Sequence, residues 1–324
     1  MKLKSPAIIK KNKSPNPLFM SIKFLLLSVS FFSFSKNTFS QDSTDLMNQL
    51  VNQGEKNKIN YAENTFKYTR VVDGHSVENL PKKVLDVRIS HRFDPVNSGI
   101  YNFFGLDVAV MRLGFDYGIS NNFMIGVGHS VYQKTYDGFF KWRILRQSSG
   151  AVNMPITLSF VPTVAVNTLR QFDSGKTNFS DRVSSVFQLL IARKFSEGFS
   201  LQLMPTFIHA DNISFNHTKQ NIIAVGIAGT QKVSKRMNVN IEYYYQLPDD
   251  QAPGAHNVLS LGIDLGTGGH VFQLHFTNSL GMTEKSFIAE TPGQWSDGDI
   301  MFGFNISRVF QLGEKRKDKK WNKQ

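Results

Sequence analysis

The stretch Leu85-Asp86-Val87-Arg88-Ile89-Ser90-His91-Arg92-Phe93 decides the fold. Leu85, Val87, Ile89 and Phe93 fall on one side of an extended chain, and Asp86, Arg88, Ser90 and Arg92 on the other. That period of two belongs to a strand with one apolar and one polar face. The pattern repeats outward from there. Ala109, Met111, Leu113, Phe115 and Tyr117 oppose Arg112, Gly114 and Asp116; beyond the turn-like Gly118-Ile119-Ser120-Asn121-Asn122, Phe123, Ile125, Val127 and Val131 oppose Gly126, Gly128 and Ser130. Two alternating runs around a short polar break predict a hairpin. Further candidate strands follow at 136–146, 153–166, 183–195, 199–210, 220–231, 237–246, 257–265, 270–278 and 299–310. The expectation is an all-β chain of about twelve strands closed into an antiparallel transmembrane barrel, where an even count puts both ends of the sheet on one side.

Connections support the same reading. Ser196-Glu197-Gly198, Ser234-Lys235-Arg236 and Gly266-Thr267-Gly268-Gly269 are short, whereas 146–153, 167–182, 211–219 and 246–257 are longer and polar, as expected of periplasmic turns and outer loops respectively. Aromatic residues gather near strand ends, at Tyr132, Tyr136, Phe139, Phe140 and Trp142 and at Tyr243, Tyr244 and Tyr245, where amphipathic rings suit the headgroup level of a bilayer. The last strand places Ile300, Phe302, Phe304, Ile306 and Phe310 on one face. Arg308 interrupts it near the end, where a long side chain can reach the interface.

Composition narrows the classes. With no Cys the chain has no disulfide, thiolate metal site, cysteine nucleophile or CxxCH haem attachment. The net charge of +12 is concentrated at the ends, with seven Lys and no acid in 1–40 and a basic tail at 313–324. The body between them is close to neutral and has no basic stripe, which argues against nucleic acid as a partner. Lys2, Lys4, Lys10, Lys11, Lys13 and Lys23 precede the apolar run Phe24–Phe34, and Thr38-Phe39-Ser40 precedes Gln41. This predicts an export signal over 1–40, cleaved between 40 and 41. After residue 40 no run approaches the roughly 18 apolar residues of a spanning helix, so membrane residence must be through strands. Residues 41–82 form a periplasmic leader, partly disordered or plug-like. Leu46, Leu50 and Val51 stand at helical spacing there, and Thr65–Gly74 reads as a further strand, a plug or a loop. The barrel is expected over 83–312 and a flexible tail over 313–324.

Several stretches carry a resemblance: Thr65-Phe66-Lys67 through Gly74-His75-Ser76-Val77-Glu78, Arg88–Phe93, Tyr101-Asn102-Phe103-Phe104-Gly105-Leu106-Asp107, Lys134–Gly138, Arg146-Gln147, and Gly268–Leu274 with Thr277-Asn278. In these the chain resembles the Bacteroidota membrane-bound β-barrel family of unknown function. The resemblance implies a barrel in the outer membrane of a Gram-negative bacterium and no activity.

The polar strand face carries Asp86, Arg88, Arg92, Arg112, Asp116, Lys141 and Arg143. In a barrel these point inward, and two readings follow: they line an open passage and bias it toward anions or zwitterions, or they pair and fill a narrow lumen. The eight His residues include His270 and His275, five apart, and His91 and His129 on apolar faces; no HExxH or comparable spacing exists, so no metal or cofactor is expected. Asp249–Gly254 lacks the alternating acids of a calcium loop, and Gly266–Gly269 has neither the Lys-Ser/Thr nor the helix of a phosphate loop. A barrel-embedded lipid-active enzyme requires Ser, His and a carboxamide or carboxylate converging at one rim. No GxSxG is present, and the expectation is a protein that is not an enzyme. The leading reading is a passive channel or small-solute transporter; the alternative is a packed barrel that docks a periplasmic or surface partner. Expected associations are outer-membrane lipid, the barrel assembly machinery and, on the second reading, a periplasmic protein.

Overall fold

Twelve antiparallel strands close into a barrel in the structure, a computed structural model that describes residues 58–169, 178–211, 220–252, 254–267 and 269–313. In chain order the strands are β1 (Ile59–Tyr61), β2 (Val84–Pro95), β3 (Ala109–Ser120), β4 (Phe123–Ser130), β5 (Thr135–Leu145), β6 (Ser148–Gly150), β7 (Thr157–Asn167), β8 (Val183–Lys194), β9 (Phe199–Ala210), β10 (Asn221–Lys232), β11 (Met237–Gln246), β12 (Val258–Thr267), β13 (His270–Thr277) and β14 (Met301–Gln311). Strands β1 and β6 pair only with each other, and the remaining twelve form the barrel, sealed where β14 meets β2. Every barrel strand is thus hydrogen-bonded on both sides, which satisfies the backbone where no water can. The expected signal segment and its cleavage point, the leader up to residue 57 and the tail from residue 314 lie outside the described residues.

The alternation of the sequence becomes inside and outside. On β2, Asp86, Arg88, Ser90 and Arg92 are buried within the barrel while Ile89 is exposed outside. The outer surface bears a ladder of rings running from Phe140 through Phe160 and Phe187 to Phe207, with centroids 6.4, 6.4 and 6.3 Å apart. Among the described residues no helix is long and apolar enough to cross a membrane, and the crossing is made by strands.

The two ends of the barrel differ. At the end where β2 starts and β14 stops, the connections after Ser120, Lys194, Lys232 and Thr267 are tight. At the other end β2–β3, β7–β8, β9–β10, β11–β12 and β13–β14 are joined by long segments. The connection at 146–153, expected among the long outer loops, is instead at the short-turn end, because β5 runs toward that end and β7 returns from it. It holds β6, which receives β1 of the leader. The turn after β3 is also shorter than expected. Gly118, Ile119 and Ser120 belong to the strand, with a register shift between Gly118 and Ser120, leaving Asn121-Asn122 as the turn.

Two of the aromatics expected at the interface face inward. Phe139 and Tyr244 are buried in the lumen, while Tyr136, Phe140, Trp142 and Tyr245 are exposed outside. In a strand consecutive rings cannot share a face, so a run of three tyrosines must send its middle member the other way. Arg308 is exposed near the short-turn end of β14, its guanidinium 5.0 Å from the Phe310 ring.

The lumen is filled from both ends. From the short-turn end, residues 65–80 enter as a hairpin in which Arg70 and His75 pair, Val71 N–H donates to Gly74 C=O at 2.9 Å, and Ser76 N–H to Thr69 C=O at 3.0 Å. Thr65–Gly74 is therefore part of a plug rather than a barrel strand. The segment passes hard against β3: Lys83 N–H donates to Gly118 C=O at 2.8 Å, and a Cβ at Gly118 would collide with the Pro81 carbonyl. From the other end the β13–β14 connection folds inward and forms α1 (Glu284–Ala289), all six residues of which are buried. Phe287, Ile288 and Ala289 share a buried apolar cluster with Leu190, Met204, Ile208 and Ile222 of β8–β10.

Candidate functional site

The hairpin has no strand neighbour, so its backbone must find partners elsewhere. It finds them on the barrel wall. Val72 and Gly74 N–H donate to the two carboxylate oxygens of Glu242 at 3.0 and 2.8 Å. Gln202 accepts from Val77 N–H at 2.9 Å and donates to His75 C=O at 2.7 Å. Gln273 donates to Val71 C=O at 2.6 Å. These polar groups project inward from β11, β9 and β13 because the strand period sends every second residue to the lumen.

All seven charged residues singled out on the polar face are buried inside the barrel. Lys141 has no exposed surface, and its ammonium donates to the carbonyls of Thr69, Ser76 and Glu78 at 3.0, 2.8 and 2.8 Å. An ammonium has three protons and no acceptor capacity, so this arrangement uses all of its donors on the hairpin. Arg143 donates to Val77 C=O at 3.1 Å and lies 3.4 Å from Glu78. Arg92 pairs with Asp73 at the hairpin tip and donates to Ser279 C=O at 3.0 Å in the opposite plug. Arg88 donates to Thr69 Oγ1 at 3.0 Å and lies 3.4 Å from Asp86.

Arg112 behaves differently, since its partner is on the wall. Its Nε donates to Asp137 at 3.0 Å, with Nη2 bonding the second oxygen. The guanidinium crosses β4 over Gly128, where a Cβ would strike it. Asp116 lies opposite Asp86 on the neighbouring strand. The structure thus divides the seven into those that hold the hairpin (Lys141, Arg143, Arg92 and Arg88) and those in the wall around them.

Sequence reasoning missed Glu242, Gln202, Gln273 and Glu284. The first three stood in plain alternation on recognised strands, and their inward parity was the available signal; Glu284 lies in a connection with no periodic pattern.

The mouth at the short-turn end holds a cavity of about 600 Å³ between the hairpin base and the wall, with Lys67, Tyr68, Arg143 and Arg146 among its lining. Partial burial lowers the Lys67 ammonium from its usual range, and burial raises the Tyr68 phenol. The histidines do not converge. On the outer surface His91 stacks on Phe304 at 5.0 Å and His129 lies tilted against Tyr136 at 4.3 Å, while His275 is buried inside. Among the described residues no three His, Asp or Glu side chains form a group that would hold a metal ion.

A sealed barrel, polar within and apolar without, now stands beside a sequence match. The chain matches the family described as Membrane bound beta barrel domain (DUF5777) over residues 66–310. It belongs to that family. The match begins at Phe66, inside the hairpin, so the family's domain includes this plug as well as the strands. A closed barrel with short turns at one end and long loops at the other is the architecture of the outer membrane, with the short turns periplasmic. This barrel is an outer-membrane protein whose hairpin enters from the short-turn end. No curated protein matches the chain. Among solved structures it is similar to the NanC porin (TM-score 0.44, 9% identity, covering 69% of this chain and 98% of that one). It is similar to the KdgM porin (0.44, 9%, 70% and 99%) and to the Acinetobacter baumannii outer membrane protein Omp33 (0.40, 7%, 71% and 99%). At these values the likeness carries no argument about function.

Proposed function

We propose that this family member is an outer-membrane conduit for small solutes, held shut by its own periplasmic hairpin and delivered to the membrane by the export signal at 1–40. The observation that carries the reading is the way the hairpin is held. Its backbone is bonded by polar side chains of the wall, groups that water or a solute would satisfy equally once the hairpin withdrew. Helix α1 is seated through Phe287, Ile288 and Ala289 on the apolar inner wall of β8–β10, in a buried cluster that Phe66, Val71, Val72 and Val77 of the hairpin also join, and it is the fixed part of the closure.

Withdrawal of the hairpin would deprive Lys141, Arg143 and Arg92 of partners and, among carboxylates, Glu242 and Glu284. Arg112 and Asp137 keep each other. Three cations against two carboxylates bias the opened passage toward anions. The test is single-channel conductance of the refolded chain in a planar bilayer beside a variant lacking residues 65–80. The expected result is silence from the full chain and discrete, anion-selective steps from the deletion. A folded deletion variant without steps would overturn the conduit reading and leave a packed barrel whose periplasmic mouth docks a partner.

A further inference from the structure

Outside the lumen, one polar row interrupts the lipid-facing surface. Ser185 on β8 pairs with His209 on β9, and His209 pairs with Asn221 on β10, so three polar residues stand side by side across three adjacent strands. Their chain neighbours Ser184, Val186, Ile208, Ala210 and Ile222 are buried inside, which directs all three outward. The row lies at the long-loop end, since His209 is the penultimate residue of β9 and Asn221 opens β10. Two residues deeper on the same face stand Phe187, Phe207 and Ile223, all exposed on the outside. The row therefore sits at the boundary between the apolar band and the outer headgroup level.

The side chains are already partly organised. His209 Nδ1 lies 2.7 Å from Asn221 Oδ1. A carboxamide oxygen only accepts, so this bond puts the ring proton on Nδ1 and leaves Nε2 as a bare acceptor. The in-plane directions of the two ring nitrogens diverge, and Nε2 faces away from Asn221. Ser185 stands on the strand at the other side of His209, where direct cross-strand partners have Cβ atoms about 5 Å apart. Asp211, just past the end of β9, brings a carboxylate oxygen to 4.0 Å from Nε2. The imidazole is 48% exposed and open to approach.

We propose that Ser185, His209 and Asn221 form a hydrolytic set acting on carboxylic esters of membrane lipids at the outer rim. Ser185 Oγ attacks the ester carbonyl carbon as its proton passes to His209 Nε2, and the carbon–alkoxide bond breaks as that proton passes to the leaving alcohol. Water, deprotonated by Nε2, then attacks the acyl-serine and releases the fatty acid, restoring Ser185 and the neutral imidazole. Asn221 is a positioning residue that fixes the tautomer. The inference concerns the outer surface and stands independently of the conduit reading.

The experiment combines a fluorophosphonate probe, its site mapped by mass spectrometry, with fatty-acid release from phosphatidylcholine in mixed micelles, using the full refolded chain. Expected results are labelling at Ser185, its loss in Ser185→Ala, and release at least about 100-fold slower in Ser185→Ala and His209→Ala. Asn221→Ala should lower the rate, and Asn221→Asp, which still accepts the Nδ1 proton, should restore it; failure of that rescue would overturn the positioning role. All variants should keep the heat-modifiable migration of a folded barrel. An unlabelled Ser185 in a folded chain, labelling undiminished in His209→Ala, or release that survives Ser185→Ala would each overturn the proposal.

Discussion

Arg70 and Glu284 are 214 positions apart and meet inside the barrel, with Nη1 donating to Oε1 at 2.7 Å. One belongs to the hairpin that enters from the short-turn end and the other to the helix folded in from the opposite end. The pair joins the two closures, and His75 Nε2 of the hairpin lies 3.3 Å from the same carboxylate.

Arg70→Ala leaves the Glu284 carboxylate buried without its guanidinium, a loss of about 3–5 kcal/mol for a broken buried pair. That loss should fall on the inserted segments and spare the barrel, whose ladder is untouched. Hydrogen exchange should accelerate at the amides of Val71–Ser76 while strand amides stay protected. Equal loss of protection in hairpin and strands would contradict this division.

Lys141→Met removes the donor that serves three hairpin carbonyls at once. Thr69 C=O keeps the Ser76 amide, and the Ser76 and Glu78 carbonyls left dry cost about 1–3 kcal/mol each, which favours the withdrawn hairpin. The measurements are protease cleavage within 65–80 and channel open probability, both expected to rise over the unmodified chain. A hairpin as resistant as before would show that the bonds from Glu242, Gln202 and Gln273 and the buried Val71, Val72 and Val77 hold it without Lys141.

Gly118→Val places a side chain where the Pro81 carbonyl lies, with the Leu80 carbonyl also within 3 Å of its Cβ. Backbone cannot rotate aside as a long side chain can, so residues 80–83 must shift away from β3. The bond from Lys83 N–H to Gly118 C=O should break, giving faster exchange of the Lys83 amide with heat-modifiable migration retained. An unchanged Lys83 amide would mean that β3 yields instead of the leader.

Phe187→Lys tests the facing of the barrel. Phe187 stacks between Phe160 and Phe207 on the outer surface, and a lysine facing lipid costs up to about 2–4 kcal/mol, depending on depth. Urea unfolding from lipid vesicles should register that loss, and Phe187→Leu should be close to neutral. Equal behaviour of the two variants would place Phe187 away from lipid.

Much of the candidate site was legible. Asp86, Arg88 and Arg92 declare their common face through spacing alone, because a strand offers two directions and the apolar partners Leu85, Val87 and Ile89 occupy the other. Glu242 and Gln202 obey the same rule and were readable as inward residues. Their role was not, since nothing in the spacing of β9 or β11 says that a segment more than a hundred residues earlier will present its backbone to them. Phe139 and Tyr244 show the opposite error: clustering in sequence suggested a belt, while parity sent them to the lumen, where Tyr244 meets Phe287 at 5.4 Å.

The sequence by itself determined the strands, their two faces and their membrane character, because period-two alternation is a local property and closure is the way to satisfy their edges in lipid. Tertiary structure alone decided that the interior is occupied, that Lys141 serves the hairpin carbonyls while Arg112 serves the wall, and that Ser185, His209 and Asn221 share one row. Those outcomes depend on strand register and on segments returning through the lumen. Register relates residues through hydrogen bonds between distant parts of the chain, and a one-residue slip would turn every side chain of a strand to the other face.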